Sequence, residues 1–99
     1  MNNGQLYFLK EENGMSEEII GVVKTYFSKV GVAALEVTHG KISLGDTLKF
    51  KGHTTQFEMT VSSMQKDNQA INEAGIGDVI GIKVPDRVRE HDTVIKIKP

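Results

Sequence analysis

The sequence predicts an all-β domain, an antiparallel barrel or sandwich, and three observations carry that prediction. Short runs alternate apolar and polar residues at the period of a strand. Turn residues interrupt them about every ten positions, as in a many-stranded β domain. A turn residue, an Asp and a short alternating strand then recur three times, at Gly45-Asp46, Gly77-Asp78 and His91-Asp92, and no run shows a convincing helical period.

Seven strands are expected. "IIGVVKTYF" (residues 19–27) and "VAALEV" (32–37) are rich in β-branched and apolar residues, and Ser28-Lys29-Val30-Gly31 between them reads as a hairpin connection. "TLKFKG" alternates cleanly. "TTQFEMTVSSMQ" puts Phe57, Met59 and Val61 on one face, but Met64 falls out of step, so a bulge or bend is expected at Ser62-Ser63. "QAINEA" is a short strand, and "DVIGIKV" and "TVIKI" set Ile80, Ile82, Ile95 and Ile97 against small or Lys residues. Leu35, Val37, Leu48, Phe50, Phe57, Met59, Val61 and those four isoleucines form the expected core, with Met64 as further filler.

The turn residues Gly40, Gly45, Asp46, Gly77, Asp78, Gly81 and Asp92 are assigned structural work. Glycine supplies positive φ or close approach, and an Asp carboxylate accepts from nearby main-chain N–H groups. A joint metal or acid-base role for Asp46, Asp78 and Asp92 is disfavoured, because three separate turns need not converge. Residues 1–14 do not fit the scheme and are expected to be a flexible N-terminal extension, "LYFLK" being the alternative edge strand, with one domain over 15–99.

Composition narrows the function classes. A chain of 99 residues with 38% hydrophobic content buries one modest core. It has no Cys, which excludes disulfides, a thiol nucleophile and thiolate metal sites. No apolar run approaches the roughly 20 residues of a membrane span, and the N-terminus lacks the pattern of a signal peptide, so a soluble cytoplasmic protein is expected. The net charge of −1 carries no bulk signature of nucleic-acid binding.

The motifs of catalysis are missing. His39, His53 and His91 are far apart and sit in turn-like contexts without metal-ligand spacing, and no phosphate loop or nucleophile elbow occurs. No enzyme activity, cofactor or metal is expected.

The segments "VAALEVTHGKISLGDTLKFKG", "TVSSMQKDNQAINEAGIGDVIGIKV" and "VREHDTVIKI" together resemble the second domain of translation GTPases such as elongation factor Tu. The likeness extends to small translation elongation factor-like proteins and to the C-terminal domain of collagenase-like peptidases. It covers residues 19–97, with Gly40, Gly45, Asp46, Gly77, Asp78, Gly81 and Arg89 on the pattern. The loop "SKVGVAAL" departs from the Gly-rich loop of the elongation factors, and His91 stands where the pattern has Gly. The resemblance implies a closed antiparallel β-barrel and a translation-related role without a GTPase domain.

A non-catalytic binding module is therefore the expected function, with RNA or the ribosome as partner. Lys49, Lys51, Lys83, Lys96 and Lys98 are the candidate RNA contacts, since their apolar neighbours are expected to point inward. The alternative is a protein-interaction adaptor like the accessory domain of collagenase-like peptidases.

Overall fold

The computed structural model describes residues 8–12 and 15–98. Its strands are β1 (Phe8–Glu12), β2 (Met15–Phe27), β3 (Val32–Val37), β4 (Lys41–Ser43), β5 (Thr47–Lys51), β6 (Gln56–Thr60), β7 (Met64–Lys66), β8 (Gln69–Ile71), β9 (Glu73–Gly75), β10 (Val79–Lys83) and β11 (Thr93–Lys98). No helix occurs among the described residues. Of the stretch 1–14, residues 8–12 form β1, paired antiparallel with the start of β2, while 1–7, 13 and 14 lie outside the described residues.

Alternation decides which side of each strand is buried. In β3 Ala33, Leu35 and Val37 point inward, in β5 Leu48 and Phe50, and in β10 Ile80 and Ile82. These side chains join Ile20, Val23, Ile42, Val61, Met64, Ala74, Val84, Val88 and Val94 in a single core. Phe57 and Met59 lie half-buried at its margin, and the Phe57 ring stacks on Phe50 at a centroid distance of 5.1 Å.

The main sheet runs in the order β6-β5-β11-β2-β3-β10-β7-β8, with β1 alongside β2, and β4 and β9 form a separate pair. The closed barrel expected from the sequence does not form. No ladder joins β6 to β7 or β8, so the sheet stays open at those two strands. The physical reason lies at Val61, where the chain leaves β6 and its main chain pairs with the turn before β5 instead of continuing a ladder. Three residues on, Met64 starts β7 on the far side of the core. The departure expected at Ser62-Ser63 is thus a full strand break, which buries both Val61 and Met64.

Two bulges let the 13-residue β2 serve several partners. Against β11 the register shifts between Val94 and Ile95, leaving Ile20 as the extra residue, and against β3 it shifts at Lys24. The first shift breaks alternation in β11, so Val94 and Ile95 are both buried while Ile97 is only half-buried.

The threefold sequence repeat is a threefold structural repeat. In each turn the Asp carboxylate accepts from the main-chain N–H three residues earlier: Ser43 to Asp46 at 2.7 Å, Gly75 to Asp78 at 2.9 Å, Arg89 to Asp92 at 2.8 Å. The Asp N–H returns a bond to the carbonyl of that same residue. The residue before the Asp has positive φ in every case: 91° at Gly45, 94° at Gly77 and 74° at His91. That residue donates to a valine carbonyl, and the same valine N–H donates to the Asp carbonyl. The valines are Val61, Val37 and Val23, all buried. Each turn therefore clamps a buried valine distant in the chain. Gly81, grouped with these turns by sequence, lies within β10 opposite Ala34.

Candidate protein interface

The outward faces of β3 and β10 place Val32, Ala34, Val79 and Gly81 among the polar Glu36 and Lys83, beside Gln65 of β7. Strand alternation sends Ile80 and Ile82 into the core and leaves Val79, Gly81 and Lys83 outside. Gly81 pairs with Ala34 on one side and Gln65 on the other, and the face is low where Gly81 and Ala34 meet. Two adjoining hollows of about 260 and 270 Å³ share Val32, Gln65 and Gly81. Val30 and Lys83 flank the first, Phe27 and Val79 the second.

Three apolar side chains stand exposed around these hollows. Phe27 is 53% exposed, Val30 58% and Val79 49%, and the first two are held by the turn between β2 and β3, where Gly31 N–H donates to Phe27 O at 2.9 Å. Exposed apolar residues gathered around a hollow are a feature of surfaces that meet other proteins. Beside it, the β7–β8 hairpin turns through Asp67 and Asn68, both with positive φ, as a type I′ hairpin turn requires. Lys66 anchors this hairpin to the Asp78 carboxylate at 2.6 Å. The hydrogen bond from Lys66, then that from Gly75 N–H, hold the Asp78 carboxyl below its ordinary value, and Lys66 is raised in turn.

Sequence reading did not single out Phe27, Val30 or Val79. A signal was present for Val79, an apolar residue on the Gly81 and Lys83 side of its strand.

Of the five lysines named from sequence, Lys49 and Lys51 lie on β5, Lys96 and Lys98 on its neighbour β11, and Lys83 apart from them on β10. Lys49 pairs with Glu17 at 3.2 Å and Lys96 with Asp46 at 3.1 Å, their side chains only 18% and 15% exposed. Lys96 also donates to the Lys41 carbonyl at 3.1 Å, fastening β11 to β4. Lys98 pairs with Glu18, and Lys51 and Lys83 are exposed on different strands. The Asp residues do not converge: Asp46, Asp78 and Asp92 each serve their own turn. No group of His, Asp or Glu among the described residues could hold a metal ion.

The fold has solved counterparts. The C-terminal domain of a protein assigned to the U32 peptidases, from Geobacillus thermoleovorans, superposes with a TM-score of 0.74 over 79% of this chain and 90% of that one, at 17% identity. This is the fold of a U32 peptidase C-terminal domain. The selenomethionine variant of the same domain gives a TM-score of 0.73 over 80% of this chain and 98% of that one, also at 17% identity.

The sequence relatives point the same way. The chain is 38% identical over 80 residues to an uncharacterized protease of Methanocaldococcus jannaschii, a match that takes in 80% of this chain and 19% of the protease. It is 32% identical over 72 residues to a collagenase of Porphyromonas gingivalis, covering 72% of this chain and 20% of that protein. The chain spans about a fifth of the length of the curated relatives it matches. No family model matches it.

These relatives overturn the translation-factor and RNA-binding expectation. The sequence and fold similarities lead to collagenase-like proteases and the U32 peptidase C-terminal domain, not to elongation factors. The other half of the stated resemblance, to the C-terminal domain of collagenase-like peptidases, is the one they favour. Among the described residues no helix is long and apolar enough to cross a membrane.

Proposed function

We propose that this chain is a non-catalytic accessory domain of a collagenase-like protease, docking through the outer face of β3 and β10 onto the remainder of the protease. The observation that carries the reading is the match of 80% of this chain to only 19% of the M. jannaschii protease, which leaves most of that protein outside the matched segment. The exposed rim of Phe27, Val30 and Val79 supports a docking role. A non-catalytic role is supported by the way the Asp carboxylates are used, each accepting a main-chain N–H of its own turn.

Exchange into the P. gingivalis collagenase tests it. Deleting the matched segment should lower gelatin hydrolysis, and this chain in its place should restore it. The same replacement carrying Phe27→Ser and Val79→Lys should fail to restore activity while melting at nearly the same temperature, since both residues are surface-exposed. Gelatin hydrolysis by this chain alone, or no restoration by the unmodified chain, would overturn the reading.

A further inference from the structure

Six lysines among the described residues are already engaged. Lys24, Lys41, Lys49, Lys66, Lys96 and Lys98 each pair with a carboxylate. Arg87 and Arg89 do not: among the described residues, neither guanidinium forms an ion pair. Their one side-chain bond is from Arg89 Nε to the Thr54 hydroxyl, at 3.0 Å. Val88 between them is buried and belongs to the core, which turns both arginines outward on the same stretch of the loop from Val84 to Asp92.

The two arginines line a cleft of about 500 Å³ together with Tyr26, Ser28, Glu90 and His91. They also line an adjoining hollow of about 230 Å³ with Thr54, Gln56 and Asp86, and so form the ridge between the two. The two arginines share the larger cleft with one acidic residue, Glu90, and the adjoining hollow with another, Asp86. The hydroxyls of Tyr26 and Ser28 add neutral hydrogen-bonding groups.

The geometry points to a carboxylate-binding cleft, built on Arg87 and Arg89, that takes an acidic peptide segment in extended form. A guanidinium presents a planar fork that matches a carboxylate with two parallel hydrogen bonds, which an ammonium cannot do. Two such forks on one ridge, with space on both sides, suit several residues of chain better than a single small anion. The loop can hold them in place because both its ends are pinned. At one end Val84 N–H donates to Gly31 O at 2.9 Å. At the other the Asp92 carboxylate accepts from Arg89 N–H and Val23 N–H donates to Asp92 O. The inference stands on this cleft and not on the protease reading, and the failure of either leaves the other intact.

The test is fluorescence anisotropy with the full chain and a labelled decapeptide of alternating Glu and Ser. Saturable binding is expected at low salt, weakening as salt is added, and absent for the peptide with Gln in place of Glu. Arg87→Gln with Arg89→Gln should weaken it about tenfold or more, the loss of one or two charge-assisted hydrogen bonds. Arg87→Lys with Arg89→Lys keeps the charge but not the fork, and should also bind measurably less tightly. Circular dichroism melts of both variants verify that they fold. The proposal is overturned by absent binding, by equal affinity in the Gln variant, by displacement of the peptide by low millimolar inorganic phosphate, or by an equally tight single-stranded oligonucleotide.

Discussion

Gly52 lies directly against the carboxylate of the buried Asp92, so closely that a β-carbon at residue 52 would overlap Asp92 Oδ1. The contact joins the hairpin between β5 and β6, where Gly52 N–H donates to Thr55 O at 2.8 Å, to the third Asp turn. Gly52→Ala therefore forces either the hairpin or Asp92 to move, and Asp92 is held by Arg89 N–H. We expect a loss of about 1 to 3 kcal/mol, the range for inserting a methyl group into a packed site. Urea unfolding measures it, and an unchanged midpoint would show that the hairpin yields at no cost.

The Lys66–Asp78 pair makes part of the stability depend on pH. Asp78 has a folded-state pKa below its ordinary 3.8, chiefly through the Lys66 hydrogen bond. Its contribution is therefore fully present above the unfolded value and is lost as the pH falls through the folded one. Lys66 has the opposite sign: raised above 10.5, it contributes fully below that value and loses its contribution as the pH rises through the folded pKa. Melting temperatures of Asp78→Asn and the parent should converge below about pH 4 and separate at neutral pH. Curves that stay parallel across the acid range would count against the linkage.

The three turns allow a controlled comparison of backbone strain. Gly77 has φ of 94° with open space around it, so Gly77→Ala pays only for the conformation, about 1 to 2 kcal/mol. His91 holds φ of 74° with a side chain already in place. His91→Gly should therefore leave stability unchanged or raise it by up to about 1 kcal/mol, partly offset by the looser unfolded chain. Chemical denaturation of both variants decides. A His91→Gly variant weaker than the Gly77→Ala one would mean that the imidazole makes a contact worth more than the strain.

Phe50 is fully buried and stacks on Phe57 with the ring planes 19° apart. Phe50→Ala should cost about 3 to 5 kcal/mol, through lost transfer energy and the cavity left behind. In a domain of this size that corresponds to a fall in Tm of more than about 10 °C, visible by calorimetry.

The apolar face proposed for docking and the arginine cleft were only partly legible in the sequence. Val79 could be seen to share a strand face with Gly81 and Lys83, but not that Phe27 and Val30 would be carried to the same place by the turn before β3. Arg87 and Arg89 flank an apolar residue, yet nothing local shows that Tyr26 and Ser28, some sixty residues earlier, form the opposite wall.

What the sequence determined by itself was local: the inward faces of Leu35, Leu48, Phe50, Ile80 and Ile82, and the three Asp turns that enter β5, β10 and β11. Side-chain alternation and turn chemistry depend on residues a few positions apart, so they can be read along the chain. Only the tertiary structure decided that the sheet stays open, that β2 bulges at Ile20 and Lys24, and that Lys49 and Lys96 are bound to Glu17 and Asp46. Each of these depends on which distant strand arrives beside which. A strand's alternation names its buried face but not its neighbour, and that choice is made by the packing of the whole core.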